Sequence, residues 1–539
     1  MPSGRLHRLA SETAIYGLSS ILARLLNFFL FPFYSHVFPP DAYGIISIVY
    51  TAFIFLNIVY QYGMESAYLR FAVEAETLET RRHIFSTTVG SLLLTSLGFS
   101  LLMVLFPEPI AMLIDLEARY QWLLYYVALI LVLDTLAVVP FAELRLQNRP
   151  WRFALIRLAG VIVNVGLNVW LLIGLHWGLE AVFFANAIAS AVTLLLLGPE
   201  FLRLMRPAFD QKLWQRLLRF GLPFLPGGLG YAITDRINLL FLKRLSPEQV
   251  RQLYGDRFDL EALAHEAERA AQAVLERASG VLSPEVQHRM SEAAQAVYAN
   301  HVVGVYNGVL KLAIFLMLFV QMFRFAWQPF FLQHARDPDA PHLFARVFVL
   351  LSAISLLIFL AVSLFAQEIV RLPLPGGYVL VNARYWTGLF IVPVALLGYL
   401  FQGWYYVFSA GAYLQHRTGY FVPCTLAGAA ASLMLNALLV PRWGMLGAAW
   451  ATTLAYALMA LLLWRLIQPH YPVPYPWHQV LAMGVWAGLL FGAWHSWPLL
   501  QHPLPEVLLL FAFIGGLFSL RVVRVQEVRR LFTHRASSA

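Results

Sequence analysis

The sequence predicts an all-α protein that crosses a lipid bilayer about fourteen times. Three observations predict it. Of 539 residues, 60% are hydrophobic and 12% charged, where a soluble domain carries roughly a quarter charged. Apolar runs of about 20 residues, the length a spanning helix needs, recur from end to end. The arginines between those runs collect on alternate loops. A soluble globule with a mean hydropathy of +0.67 would have too little polar surface to cover itself.

The expected spans lie near 14–37, 44–71, 84–106, 121–144, 153–175, 179–198, 220–243, 302–324, 344–370, 384–411, 419–440, 445–467, 478–498 and 504–523. With a cytoplasmic N-terminus, the inner loops hold Arg5 and Arg8, Arg81 and Arg82, Arg145 and Arg149 with Arg152, then Arg203 and Arg206 with Lys212 and Arg216. Arg336, Arg417 and the tail Arg521–Arg535 continue the pattern. The short outer loops hold little beyond Arg119, Arg371, Arg384 and Arg442. Positive charge collects inside, and both termini are basic, so the helix count is even and both ends are cytoplasmic. The net charge of +9 belongs to these loops and implies no nucleic-acid partner. The opening MPSGRLHRLASETAIYG lacks a short apolar stretch with a cleavage site, so the first helix is expected to stay as an anchor. A single cysteine, Cys424, excludes disulfides within the chain and cysteine metal sites.

One stretch is polar. In residues 246–299, Leu260, Leu263, Ala267, Ala270 and Val274 recur at helical spacing among Glu and Arg, and Ser283-Pro284 reads as a second helix start. The expectation is an accessory helical hairpin on the outer face.

A repeat lies under the helices. LAGVIVNVGLN (158–168) matches LAGAAASLMLN (426–436), and each leads to a Trp-Gly pair, Trp177-Gly178 and Trp443-Gly444. RLLNFFL (24–30) matches RINLLFL (236–242). Each leads to a glycine at the start of the next span, in AYGIIS (42–47) and in VVGVYN (302–307) past the insertion. The expected architecture is two six-helix lobes in a parallel pseudo-twofold repeat plus two C-terminal helices. That divides the chain into 1–218, 219–470 with the insertion 246–299, and 471–539. In transporters built from repeats the substrate site lies between the halves near the midplane.

Charged residues inside spans cost roughly 2.5–3.5 kcal/mol each unless paired or hydrated, so Arg24, Asp134, Asp235, Arg236 and Lys311 need partners or a task. Arg24, Arg236 and Lys311 are candidate cavity cations. Asp235 and Asp134 suit either an ion pair locking helices together or coupling to a cation or proton. Asp235 and Arg236 point about 100° apart on a helix, which predicts separate partners. Polar stripes run through Asn57, Gln61, Glu65 and Tyr68, through Arg157, Asn164 and Asn168, and through Thr425, Ser432 and Asn436. Such stripes serve as interhelical glue or as cavity lining. Glu65, Arg70, Glu143, Arg157 and Arg324, near the inner ends, are expected to snorkel. Catalytic signals are poor: no phosphate-binding loop, HExxH or GxGxxG occurs. The DPD at 337–339 sits between prolines and reads as a turn rather than a metal-binding DxD. No cofactor is expected.

TAIYGLSSILARLLNFFLFPFYSHVFPPDAYGIISIVY (13–50) resembles the opening of Wzx-type oligosaccharide flippases. GLPFLPGG with DRINLLFLKR (221–228, 235–244) resembles their seventh helix, and FAWQPFF (325–331) their eighth. That family shares a superfamily with the lipid II flippase and the multidrug and toxin extrusion exporters. The insertion 246–299 departs from its usual short loop. The resemblance implies two lobes around a cavity that opens alternately to either side of the cell inner membrane. It also implies a lipid-linked oligosaccharide whose undecaprenyl pyrophosphate is held by cavity cations. Arg24 and Arg236 match positions where that role fits, and the depth of Lys311 adds it to them. Membrane lipids surround the protein, and a polysaccharide polymerase or glycosyltransferase is the expected partner. A coupled multidrug exporter of the same fold and a membrane glycosyltransferase are the rival readings.

Overall fold

The computed structural model describes residues 30–278, 280, 282–335 and 337–520. Arg24, Arg336, the basic tail and most of the first expected span lie outside the described residues. After a helical stretch over 30–37 come α1 (Pro40–Gln61), α2 (Met64–Val73), α3 (Leu78–Leu105), α4 (Glu108–Leu113), α5 (Leu123–Leu146), α6 (Pro150–Val169), α7 (Glu180–Leu196), α8 (Gly198–Leu204), α9 (Gln211–Gly221) and α10 (Phe224–Lys243). The chain continues with α11 (Pro247–Tyr254), α12 (Leu260–Arg277), α13 (Pro284–Val309), α14 (Ile314–Gln333), α15 (Ala340–Leu364), α16 (Ala366–Val370), α17 (Val392–Leu414), α18 (Phe421–Ile467), α19 (Trp477–Ser496) and α20 (Pro503–Ser519). No strand occurs among the described residues.

Every expected span from 44 to 498 falls on helix, and 504–523 does so as far as Ser519. Among the described residues, eight helical segments are long and apolar enough to cross on length and composition alone. The others are spans with interruptions. α7 and α8 bend by 43° across one break. α10 carries Asp235, Arg236 and Asn238, and α20 is short. α18 is two spans, broken at Gly444 with φ 53° and ψ −126°, a conformation open to glycine. The equivalent turn of the first half has a left-handed residue too, His176 at φ 54°. Exposed apolar stripes such as Leu481, Val485 and Leu489 on α19 are the surface that lipid covers.

The insertion is helical as expected, with sharp starts. Ser246 and Gln249 form a capping box at α11, Asp259 caps α12, and the Ser283 hydroxyl accepts from Val286 N–H before α13. Leu263, Ala267 and Ala270 form its buried stripe. One boundary differs from expectation: α13 runs without a break from the insertion into the eighth span, because nothing between 284 and 309 stops a helix.

The contacts divide the chain into two compact units. One holds everything up to Gly308 together with 381–387 and 425–451; the other holds 309–380, 388–424 and 452–539. In the first, α3 packs on α5, α6 on α7, and α1 on both α5 and α10. In the second, α17 packs on α14 and α15, and α19 and α20 pack on α15.

The first unit contains a local twofold. A Cβ on Gly44 would lie 2.0 Å from the Asn300 carbonyl oxygen, and one on Gly304 would lie 1.7 Å from that of Pro40. Each glycine therefore faces the carbonyl four residues before the other. Three residues past each glycine, Asn307 Nδ2 donates to Ser47 Oγ at 2.8 Å. A contact in which residue i of one element meets j of the other, and j meets i, is isologous. AYGIIS and VVGVYN, matched in the sequence as repeat equivalents, thus pack against each other. Small residues let the two backbones approach this closely.

Gly304→Ala should lower the thermal midpoint in detergent, an overpacking cost of about 1–3 kcal/mol, since backbone must give way. Gly484→Ala, where a Cβ meets nothing within 4 Å, should be neutral or slightly stabilising. Equal effects from the two would contradict the close approach.

Candidate functional site

Arg236 sits mid-way along α10, the helix whose apolar run it interrupts. Its Nε lies 2.8 Å from Asp235 Oδ2, and the two side chains are 30% and 24% exposed. The two charges, expected to have separate partners, are also in contact with each other. The long arginine stem folds back far enough to bring the charges together, although the Cβ atoms diverge. The approach is an ion contact and not an aligned hydrogen bond, as the offset of neighbours requires. Around it α10 is tied down on several sides. Asn238 Nδ2 donates to Tyr306 Oη of α13 at 2.8 Å, Thr234 Oγ1 donates to Gly230 O, and Gly230 backs onto the Thr425 backbone of α18. Tyr43 of α1 lies within electrostatic reach of Arg236.

Lys311 lies in a 3₁₀ turn, Leu310–Ala313, between α13 and α14. It belongs to the second unit and Arg236 to the first. Arg24 is outside the described residues.

Asp134 on α5 accepts from Ser190 of α7 and faces the charge of Arg157 on α6. The Arg157 guanidinium covers the Phe141 ring at 4.2 Å, and Arg145 pairs with Glu65 nearby. Asp134 therefore belongs to an ion network that ties three helices together. Glu65 does not share a continuous stripe with Asn57 and Gln61, because Tyr62 and Gly63, at φ 30° and 75°, break the helix between α1 and α2. Gln61 Nε2 donates to Asn57 Oδ1 within α1. Asn168 is buried as glue: it accepts from Tyr34 Oη at 2.8 Å and donates to the Asn164 carbonyl. Its repeat partner Asn436 donates to the Ser432 carbonyl in the same way.

Two charged centres escaped sequence reasoning. Glu143, expected to snorkel, is buried and accepts from Tyr68 Oη at 2.6 Å, Arg81 Nε at 3.0 Å and Gln147 Nε2 at 2.5 Å. The second joins three elements. Lys243 Nζ at the end of α10 donates to Glu117 Oε1 at 3.0 Å and to Asn300 Oδ1 at 2.6 Å, while Asn300 Nδ2 donates to Glu117 Oε1 at 2.7 Å. Lys243 and Glu117 are 3% and 9% exposed. Lys243 stood in the quoted DRINLLFLKR motif, but nothing in the local pattern pointed to a carboxylate 126 positions away. Among the described residues no group of three or more His, Cys, Asp or Glu is placed to hold a metal.

The model of the polysaccharide biosynthesis protein family matches residues 9–334. The chain belongs to that family. No curated protein matches it. Its fold is similar to those of solved polytopic transporters and flippases. The lipid II flippase MurJ in an inward closed conformation is 15% identical with a TM-score of 0.58, over 94% of this chain and 99% of that one. An outward-facing MATE multidrug resistance transporter is 13% identical with a TM-score of 0.51, over 86% and 95%. A MOP superfamily transporter from Pyrococcus furiosus is 14% identical with a TM-score of 0.51, over 86% and 95%. These neighbours are transporters and flippases. For this member of the polysaccharide biosynthesis family they support the fold class expected from sequence in its coarse form: multi-pass and all-α.

The Glu117 cluster has a pH signature. Burial raises the Glu117 carboxyl, but the Lys243 ammonium and the hydrogen bonds from Lys243 and Asn300 outweigh it and hold the group below its ordinary 4.5. A carboxyl depressed on folding adds stability above its unfolded value, and that stability is lost as the pH falls through the folded value. The gap in thermal midpoint between wild type and Glu117→Gln should stay constant from neutrality down to about pH 5 and close at more acid pH. A gap that does not narrow on acidification would contradict this pairing.

Proposed function

We propose that this protein moves a lipid-linked oligosaccharide, carried on undecaprenyl pyrophosphate, from the inner to the outer leaflet of the cell inner membrane by alternating access, for cell-surface polysaccharide assembly. In this reading both termini are cytoplasmic, and the lobes are 1–218 and 219–470 with 471–539 appended. The protein acts as a carrier and not an enzyme. It hands its cargo to a polymerase or glycosyltransferase. Family membership supports the substrate class. The observation that carries the mechanism is Arg236, a half-exposed guanidinium in the middle of a spanning helix, held by its own neighbour Asp235.

That pairing suits exchange. A buried cation without a counter-ion is costly, and Asp235 supplies one while no substrate is bound. An incoming pyrophosphate offers more charge and fits the guanidinium fork bidentately, so it displaces the carboxylate. Arg24 and Lys311 are the further cations proposed for the anion, with Asn57, Gln61, Asn164 and neighbouring amides lining the path. With the inside negative, outward movement of each negative charge gains about 2.3 kcal/mol per 100 mV, so no nucleotide hydrolysis is required. The second reading, a cation-coupled multidrug exporter, is favoured by the MATE-like fold. It needs Asp235 or Asp134 as the coupling site, and both carboxylates already face arginines.

In liposomes, Arg236→Ala should fold and lose flipping of a labelled polyprenyl-pyrophosphate sugar by about 10–100-fold, the worth of a charged hydrogen-bond partner. Arg236→Lys should recover only part of it, since a point charge does not reproduce the fork. Normal flipping by Arg236→Ala would sink the assignment. Gradient-driven efflux of a cationic dye without sugar flipping would favour the exporter.

A further inference from the structure

The polar insertion is not a loose appendage. Tyr254, at the end of α11, accepts a hydrogen bond from Met445 N–H at 2.6 Å, at the turn joining the two arms of α18. A Cβ on Gly444 would lie 1.9 Å from the Tyr254 hydroxyl, so that turn is shaped around the tyrosine. The Tyr254 ring stacks on Phe258 at 4.7 Å, and Phe258 meets the ring of His301 edge-on at 4.8 Å. Below His301 is Asn300, whose amide joins Lys243 and Glu117 and whose carbonyl faces Gly44 across the local twofold. A continuous line of contact thus runs from the insertion through the buried ion pair to the place where the two repeats touch.

The charged atoms along this line are only partly satisfied. Glu117 Oε2, Arg119 Nε, Asp41 Oδ1 and His301 Nδ1 are buried with no hydrogen-bond partner in the protein. Asp41 lies within electrostatic reach of Glu117 and Arg119, and of Glu266 from α12. Burying polar atoms without partners is unfavourable, and opening the cluster to water would relieve it. The closed arrangement is held by specific contacts. α13 supplies the mechanical link, since it starts in the insertion at Pro284 and ends at Val309, below the Gly304 contact and just before the 3₁₀ turn that holds Lys311. Movement of the insertion would be carried along that helix to the twofold contact.

We propose that α11, α12 and the first half of α13 form a strap that holds the outer mouth closed. The Lys243–Glu117–Asn300 triad acts as its bolt and Tyr254–Met445 as its clasp, and both must release in each cycle. The role in a cycle rests on the transport reading; the closure itself does not. The insertion thereby becomes part of the gate, contrary to its sequence-based expectation as an accessory.

The test uses the full chain with Cys424→Ala and a reporter, Asn307→Cys, in right-side-out vesicles without substrate. The readout is the rate of modification by a membrane-impermeant maleimide added outside. Tyr254→Phe removes the hydroxyl that accepts from Met445 N–H and keeps the ring. It should raise the rate about fivefold, the population shift from one hydrogen bond. Glu117→Gln should raise it by about tenfold or more, because Lys243 loses its counter-charge. Unchanged labelling in both variants overturns the strap, and so does faster labelling only from the inner side. Tyr254→Phe keeps the test decisive if Glu117→Gln fails to fold. Faster labelling in the variants, with a parent chain that flips no lipid-linked sugar, leaves the closure standing and removes the transport reading.

Discussion

The backbone contact between Gly44 and Gly304 is the constraint on which the rest of this account depends. Two helices that approach until each glycine faces the other's carbonyl tolerate no side chain at either position. Their symmetric placement makes the contact isologous, with the same small residue at the same place in both elements. Nearby order follows from it. Asn307 can bond Ser47 only because the helices are this close, and Asn300 reaches Glu117 and Lys243 only because α13 is held there.

The protein handles buried charge by giving each ion a neighbour on another element or, at Arg236, on its own helix. Asp134 with Arg157, Glu65 with Arg145, Glu143 with Arg81 and Glu117 with Lys243 join segments far apart in sequence. Such pairs are weak sources of net stability, since desolvation offsets most of their attraction, but breaking one is costly. They therefore specify which helices meet. Asp235–Arg236 differs because the pair lies within one helix, so its contact adds no link between segments. Its proposed use is electrical, keeping a substrate-binding cation neutral between cargoes.

Much of the fold was legible in the sequence because a bilayer allows so few solutions. Spans must be helical, about 20 residues long and apolar, and thirteen of the fourteen expected spans lie on described helices, with 504–523 running a few residues beyond them. The glycines of this contact were legible too, since Gly44 and Gly304 stand in matched motifs. Partnerships were not legible. Glu143 looked like a snorkelling residue because its distance from a span end was known and the approach of Tyr68 and Arg81 was not. The stripe Asn57, Gln61, Glu65, Tyr68 was drawn on one continuous helix, and the left-handed residues Tyr62 and Gly63 interrupt it. Asp235 and Arg236 were separated by considering Cβ directions alone, without the length of the arginine stem. Glu117 had no local signal, since a loop glutamate gains meaning only from a lysine on a distant helix.

If the twofold contact closes one face of a transporter, fixing it must stop transport. Ser47→Cys with Asn307→Cys, in a Cys424→Ala chain, places two thiols where a hydrogen bond now joins the helices. Dibromobimane should bridge them readily and stop flipping of a lipid-linked sugar, while the same treatment of either single-cysteine chain leaves flipping intact. A bridge that forms in full while flipping continues at the untreated rate would contradict the account.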